Sequence, residues 1–231
     1  MAKIVAAMAM THSPGLTGWF DRAPKDQQAQ ALQALGEMRE RLAAARPDAV
    51  VVFSNDHLLN WPMNNTPEYT VGIGAEHVGP ADWYDEWLAL QKYRIPGHPA
   101  LARHIVTEGA RRRLSFAYLR EILKAYPGSE RIAVLATGGL SHEPGGPRYF
   151  WVDEEFDLWF LDLLKKGDHQ ALLRECTLER MEAAGSGGTA ELLAWIVALA
   201  FTTGPAEVLA YMPAIAWRSG TGMVVWNTFA A

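Results

Sequence analysis

Short apolar runs alternate with longer amphipathic stretches along this chain, and the alternation predicts its secondary structure. A long irregular stretch at about 60–99 interrupts the pattern, and only Tyr69–Ile73 within it suits a short strand. Alternating strands and helices indicate an α/β fold, layered α/β/α around a central mixed, largely parallel sheet. Strands are predicted at 3–10, 48–54, 131–137, 207–212 and 222–226, and helices near 25–45, 99–113, 116–125, 153–165, 168–176 and 189–202.

The helix near 25–45 carries apolar residues at intervals of three and four. Leu32, Leu35, Met38 and Leu42 would then form one buried stripe. The helix should end at Arg46, because a residue that precedes proline disfavours the helical conformation.

Composition predicts one globular domain over residues 1–231. The chain is 49% hydrophobic and 20% charged, which suits a substantial buried core. Its net charge of −5 gives no basic surface for nucleic acid or for an anionic membrane. We therefore expect neither of these partners.

Three features of the sequence predict a cytoplasmic protein. The single cysteine, Cys176, excludes an internal disulfide framework. The apolar runs are too short to span a membrane. The first predicted strand leads directly into His12, so a cleaved signal peptide would remove a candidate functional residue.

Three histidines each follow a predicted strand after a few turn residues: His12, His57 and His142. If these strands are parallel, the three imidazoles collect at the carboxyl edge of the sheet, where open α/β sheets bind ligands. Three independent histidines at successive strand ends are a weaker explanation than one shared site. The pattern therefore indicates a metal site or an acid–base site, and so an enzyme.

A metal site of two imidazoles needs a third ligand, and Glu191 is the best candidate. It follows the glycine-rich turn 185–188 and begins an apolar helix, so its carboxylate would be buried. Two histidines and one carboxylate on one face of Fe(II) leave the opposite face open for substrate and dioxygen. The alternative role for Glu191 is stabilisation of the helix N-terminus.

The irregular stretch at about 60–99 is rich in aromatic residues. A connection of this length in a compact domain is usually a lid, a binding loop or a partner surface. The aromatic rings would suit a flat, apolar substrate, or would pack a small core beneath the loop. The residues concerned are Trp61, Tyr69, Trp83, Tyr84, Trp87 and Tyr93.

Four motifs in order carry a resemblance to a known family. They are Thr11-His-Ser-Pro14, Asn55-Asp-His57, Gly138-Gly-Leu-Ser-His142, and Gly185-Ser-Gly-Gly-Thr-Ala-Glu191. Together they resemble the class III extradiol ring-cleavage dioxygenases, a family that includes the catalytic subunit of protocatechuate 4,5-dioxygenase and its relatives acting on gallate. The likeness spans most of the chain.

The resemblance implies a role for each matching residue. His12, His57 and Glu191 match the family's ligands to non-haem Fe(II), and His142 matches its catalytic histidine. A small catechol-type or aminophenol substrate would bind the iron, and O2 would open the ring beside the diol. His142 would take a proton from a substrate hydroxyl and return one later, a task that suits a side chain that changes charge near neutral pH.

One family segment is absent from the chain. Members usually carry an Asp-His-Gly type segment and a buried strand in this region, whereas here Phe116–Tyr126 runs almost directly into the strand at 131. The absence leaves a second hypothesis open, a metal-binding but catalytically idle relative that serves as a structural or regulatory subunit. A Zn(II) hydrolase with the same ligands is a third.

Further candidates lie outside the four motifs. Arg218 could bind a substrate carboxylate, although a surface arginine beside a turn is the alternative. His98 could reach the site if the long loop folds over it. Asp56 could orient His57, or simply form a turn. The nine tryptophans and the long loop suggest a homo-oligomer or a complex with a small partner subunit.

Overall fold

The computed structural model describes residues 2–57, 60–61, 63–65, 67, 69–82, 91–112 and 119–229. The chain forms two compact units. The larger contains residues 4–54 and 131–231, and the smaller contains residues 1–3 and 55–130. The single domain over residues 1–231 stays a prediction. In the described ranges, no helix combines the length and the apolar composition that crossing a membrane requires.

The larger unit is built on a five-stranded sheet. The strands are β1 (Lys3–Met10), β2 (Ala49–Phe53), β5 (Arg131–Thr137), β6 (Ala206–Ala214) and β7 (Ser219–Trp226). Their order across the sheet is β2-β5-β1-β7-β6. Apolar runs form these strands as the sequence predicts, and β1 and β5 have the predicted bounds.

Four of these strands point the same way. β2 and β5 pair parallel, whereas β7 is antiparallel to both β1 and β6. β1 and β5 are also parallel, because the Lys3 amide bonds Glu130 O near their first residues and the Gly138 amide bonds Met10 O after their last. The predicted α/β fold with a mixed, largely parallel sheet is confirmed.

Helices cover both faces of the sheet. The long helix α2 (Lys25–Ala45) packs on one face, where Ala133 of β5 joins its core cluster. The adjacent residues Ile132 and Val134 point to the other face and are also buried. The helices of the larger unit are α1 (Gly15–Gly18), α2, α5 (Glu154–Lys166), α6 (His169–Glu175), α7 (Leu178–Ala184) and α8 (Leu193–Ala198).

The predicted stripe on α2 is wrong at one position. Met38 is buried and Leu35 and Leu42 are partly buried, but Leu32 is 60% exposed. Ala31 and Ala34 face the sheet instead, since their small side chains let the helix approach the strands closely. The helix ends at Ala45, and Arg46 has a left-handed backbone conformation. The end of the helix agrees with the prediction from the proline that follows Arg46.

The apolar helix predicted near 189–202 is divided into three. A 3₁₀ turn at Thr189–Leu192 precedes α8, and a second 3₁₀ turn at Leu199–Phe201 follows it. The ring of Phe201 stacks on Phe53 at the end of β2, with centroids 5.9 Å apart. Glu191 therefore lies in a tight 3₁₀ turn rather than in the first turn of a long α-helix.

In its described residues, the smaller unit contains a two-stranded antiparallel sheet and two α-helices. Strands β3 (Glu76–Gly79) and β4 (Tyr93–Pro96) pair with each other. The helices are α3 (Pro99–Arg112) and α4 (Leu119–Lys124).

The strand predicted at Tyr69–Ile73 is wrong. The described residues there have no strand pairing, and a Cβ on Gly72 would lie 2.9 Å from the ring of His77. The backbone thus packs against an imidazole where a strand would need a partner. Of the loop aromatics, Tyr69 and Tyr93 are exposed. Trp61 is partly buried. The remaining three, Trp83, Tyr84 and Trp87, lie outside the described residues.

Candidate metal centre

The structure brings His12 and Glu191 together at the carboxyl edge of the sheet. His12 follows β1 by two residues, and Glu191 lies in the 3₁₀ turn before α8. His12 Nε2 is 3.1 Å from Glu191 Oε2. Residues 179 positions apart therefore form one imidazole–carboxylate pair.

Glu191 is buried, only 8% exposed, and several groups compensate its charge. The Gly139 amide donates a hydrogen bond of 2.8 Å to Oε2. Burial alone would raise the pKa of Glu191, but the hydrogen bond from His12 and the charges of His142 and His12 lower this pKa to about 2. The carboxylate is thus ionised at neutral pH, as a metal ligand must be.

The other ring nitrogen of His12 is oriented by Thr137, the last residue of β5. Thr137 Oγ1 donates to Phe53 O at 3.3 Å, so it accepts from His12 Nδ1 at 3.0 Å. Nδ1 therefore carries a proton. Nε2 is then the ring nitrogen that faces Glu191, and it is the one that would offer its lone pair to a bound metal ion.

His142 is the third side chain of this group. Its Nε2 lies 3.8 Å from Glu191 Oε1. Its Nδ1 lies 2.8 Å from Leu140 O, and because a carbonyl can only accept, Nδ1 donates this bond. The His142 amide also bonds Thr189 Oγ1 at 3.2 Å, which ties the loop to the 3₁₀ turn of Glu191.

Two glycines let the backbone close around His142. A Cβ on Gly139 would lie 2.5 Å from His142 Nδ1, and a Cβ on Gly188 would lie 2.4 Å from His142 O. Any larger residue at either position would displace the histidine. The glycines of both motifs therefore have a packing reason, because they permit the loop and the 3₁₀ turn to touch.

A second buried carboxylate lies behind the His142 loop. Asp157 of α5 is fully buried and accepts from the Ser141 amide at 2.7 Å and from Tyr211 Oη at 3.0 Å. Burial raises the pKa of Asp157 to about 7, and the bonds from Ser141 and Tyr211 oppose that shift. The nearby charge of Asp153 raises it further.

Asp157 should make the free energy of unfolding fall as pH rises from about 4 to about 7. In the unfolded chain the pKa of Asp157 is about 3.9, so between pH 4 and pH 7 only the folded state keeps the proton. Asp157→Asn has no such proton. The stability of the wild type minus that of the variant should therefore decline across the interval, by at most about 4 kcal/mol.

Urea unfolding of both proteins at a series of pH values measures this difference. Groups other than Asp157 titrate alike in both proteins and cancel. A difference that stays constant from pH 4 to pH 7 would contradict the assignment.

The remaining predicted ligand, His57, lies in the smaller unit. It is exposed and follows the end of β2 by four residues. The adjacent Asp56 accepts from the backbone amides of Asn60 and Trp61 and from the Asn60 side chain. Asp56 thus bonds to Asn60 and Trp61, and orientation of His57 by Asp56 stays a prediction.

The two substrate candidates have defined local contacts. The Arg218 guanidinium lies over the ring of Phe150, 4.0 Å from its centroid, and donates to Ile215 O. His98 Nδ1 accepts from the Leu101 amide at 3.2 Å at the start of α3, and its Nε2 lies 3.5 Å from Glu130. Binding of substrate by Arg218 or His98 stays a prediction.

Sequence reasoning missed Thr137 and Asp157. Thr137 has a weak signal, since it ends an apolar strand and directly precedes the two glycines. Asp157 has a stronger one, because it shares the helical spacing of the buried residues Phe160, Leu161 and Leu164. An acid on the apolar stripe of a helix indicates a buried polar contact.

The fold and this group define an α/β protein with an imidazole–carboxylate centre at the carboxyl edge of its sheet. The chain belongs to the family described as the catalytic LigB subunit of aromatic ring-opening dioxygenase, whose model matches residues 6–119 and 117–224. It is also similar to a gallate dioxygenase of Pseudomonas putida strain KT2440, with 35% identity over 79 residues. That match covers 34% of this chain and spans 23% of the length of the gallate dioxygenase.

Proposed function

We propose that the protein is a non-haem Fe(II) extradiol dioxygenase that opens the ring of a small catechol-type or aminophenol substrate with O2. Membership of the ring-opening dioxygenase family supports the reaction class. The observation that carries the proposal is the buried, ionised Glu191 beside His12, with His142 next to the carboxylate. Such a carboxylate is costly to bury unless a cation or hydrogen bonds compensate it.

We propose that His12, His57 and Glu191 are the metal ligands. Each offers one ligand atom of the kind that divalent iron accepts, two imidazole nitrogens and one carboxylate oxygen. The pair described above is close enough to share one ion, since two atoms bonded to the same ion at about 2.1 Å lie no more than about 4 Å apart. His12 Nε2 and Glu191 Oε2 have a separation of 3.1 Å.

The metal would bring substrate and O2 together, and the protein would supply the proton transfers. Fe(II) held by His12, His57 and Glu191 would supply the redox chemistry that lets dioxygen react with the aromatic ring. His142 Nδ1 donates to Leu140 O, so a neutral His142 presents the lone pair of Nε2 on the side of Glu191. That nitrogen would accept the proton of a substrate hydroxyl and later return it to an oxygen of the opening ring.

A second candidate function is a metal-binding relative without turnover. The two matched stretches of the family model meet at residues 117–119. The family's Asp-His-Gly type segment is lacking from the sequence just after this point. Without the histidine of that segment, which in the family would be a second acid–base or substrate-contacting group, such a protein would bind metal through His12, His57 and Glu191 but serve as a structural or regulatory subunit.

Anaerobic reconstitution with Fe(II) separates the two candidates. Protocatechuate, gallate, catechol and 2-aminophenol are then added in air-saturated buffer, and oxygen uptake is recorded with the absorbance of the ring-opened product. We expect oxygen uptake in proportion to the ring-opened product with at least one of these compounds. Iron binding without oxygen uptake from any of them would favour the idle relative, and metal analysis of the isolated protein would test the Zn(II) alternative.

Thr137→Val should weaken Fe(II) binding about 10- to 100-fold. Valine keeps the shape of threonine but removes the oxygen that accepts from His12 Nδ1, so the ring loses its orientation and its tautomer is no longer fixed. Anaerobic titration against a competing chelator measures the affinity. Thr202→Val is a matched control, since its hydroxyl is buried and bonds Leu199 O. Equal iron affinity in the two variants would contradict the orienting role of Thr137.

Substrate specificity and assembly remain predictions. A substrate carboxylate would pair with Arg218 if the guanidinium can leave the ring of Phe150. A homo-oligomer or a small partner subunit, and a cytoplasmic location, are likewise proposed from the sequence.

A further inference from the structure

The strongest feature outside the metal centre is the buried carboxylate of Asp157. It is fully buried, and the basic groups of the metal centre are not among its hydrogen-bond partners. Burying a carboxyl group costs free energy that a leucine on the same apolar helix stripe would not incur. The buried carboxyl group, which Ser141 and Tyr211 hold in place, is therefore expected to have a role other than stability.

One peptide group connects Asp157 to His142. The amide of Ser141 donates to Asp157 Oδ1 at 2.7 Å. The carbonyl of the same peptide group is that of Leu140, and it accepts from His142 Nδ1 at 2.8 Å. The plane of the Leu140–Ser141 peptide is thus fixed from both ends, since a rotation that breaks the first bond also removes the second acceptor.

Other bonds hold Asp157 and the loop in this arrangement. Tyr211 Oη donates to Asp157 Oδ2 at 3.0 Å, and the Gly220 amide donates to Ser141 O at 3.0 Å. A Cβ on Gly220 would lie 1.8 Å from Asp157 Oδ2, so the strand passes directly against the carboxylate. These close contacts hold the carboxylate in one orientation.

We propose that Asp157 is a positioning residue that sets the ring orientation and the tautomer of His142 through the Leu140–Ser141 peptide group. This inference rests on the proposed function, in which Nε2 of His142 must present a lone pair. A free imidazole has no partner that fixes its tautomer, and here the Leu140 carbonyl keeps the proton on Nδ1. Asp157 acts by accepting a hydrogen bond, and its negative charge is not required.

Two variants separate the acceptor from the charge. Asp157→Asn keeps an Oδ1 that accepts from the Ser141 amide and offers its amide group to Tyr211. Asp157→Leu fills similar space but leaves the Ser141 amide without its acceptor. Leu164→Ala is the control for general loss of packing, because Leu164 is buried on the same helix.

The first readout does not depend on turnover. A nitrogen-15 NMR spectrum of the metal-free protein at pH 8.5, with the His142 signals assigned by their absence in His142→Gln, reports which ring nitrogen carries the proton. The wild type, Asp157→Asn and Leu164→Ala should all show the proton on Nδ1. Asp157→Leu should show a mixture that includes the Nε2–H tautomer.

The second readout is turnover of the Fe(II)-loaded enzyme. Asp157→Leu should lower kcat about 10- to 100-fold with KM within about 3-fold of the wild type. The reason is that substrate binding is unchanged, whereas His142, the general base, is misplaced. Asp157→Asn should keep kcat within about 3-fold, and Leu164→Ala should do so at a temperature where it is folded.

The inference is overturned if Asp157→Leu retains both the Nδ1–H tautomer and the wild-type kcat, or if Asp157→Asn loses both as the leucine variant does. If the wild type itself has no turnover, the proposed function fails, and the NMR comparison alone then decides the role of Asp157.

Discussion

Replacing Glu191 with glutamine is expected to lower the affinity for Fe(II) by more than about 100-fold and to abolish ring cleavage. Loss of a residue that only orients a ligand costs about 10- to 100-fold, and loss of the ligand itself should cost more. Glutamine keeps the oxygen that accepts from the Gly139 amide, so the 3₁₀ turn should stay in place. The negative charge that the metal needs is removed.

Anaerobic titration with Fe(II) and a competing chelator measures this loss, with oxygen uptake as the second readout. Glu143→Gln is the matched control, because Glu143 is equally buried but its carboxylate pairs with Arg148. The control should bind iron as the wild type does. Wild-type affinity in Glu191→Gln would exclude Glu191 as a ligand.

Replacing His142 with glutamine should instead separate metal binding from catalysis. General acid–base catalysis by one side chain contributes about 10²- to 10⁴-fold to a rate, and kcat should fall by that factor. Iron affinity should stay within about 3-fold of the wild type, since Nε2 of His142 is 3.8 Å from Glu191 and is not among the proposed ligands.

Steady-state oxygen uptake and iron titration on the same preparation check both parts of this expectation. His104→Gln is the control, since that histidine bonds Ile122 O in the smaller unit. A large fall in iron affinity would make His142 a ligand, and an unchanged kcat would remove it from the mechanism.

The sequence predicts the sheet and much of the candidate site, because both depend on patterns that are local. β1 and β5 are apolar runs bounded by turn residues, and their bounds agree with the prediction. His12 and His142 follow these neighbouring parallel strands, so the topology alone brings them to one edge. The glycine-rich turn before Glu191 explains how a carboxylate from a distant segment reaches the same edge.

The wrong predictions arise where packing between helices and strands determines the structure. The apolar spacing on α2 is compatible with more than one face, and the small side chains of Ala31 and Ala34 determine which face meets the sheet. A strand also needs another strand beside it: Tyr69–Ile73 has no strand assignment, whereas Glu76–Gly79 pairs with Tyr93–Pro96. Asp157 could not be assigned from sequence, because its function depends on a peptide group 16 residues earlier in the chain.

Anomalous diffraction at the iron absorption edge, from crystals of the Fe(II)-loaded protein, would locate the metal itself. We expect one anomalous peak within about 2.3 Å of His12 Nε2, of a Glu191 carboxylate oxygen and of a His57 ring nitrogen, with His142 outside bonding distance. A peak at another place in the molecule, or full iron loading with no peak beside Glu191, would contradict this expectation.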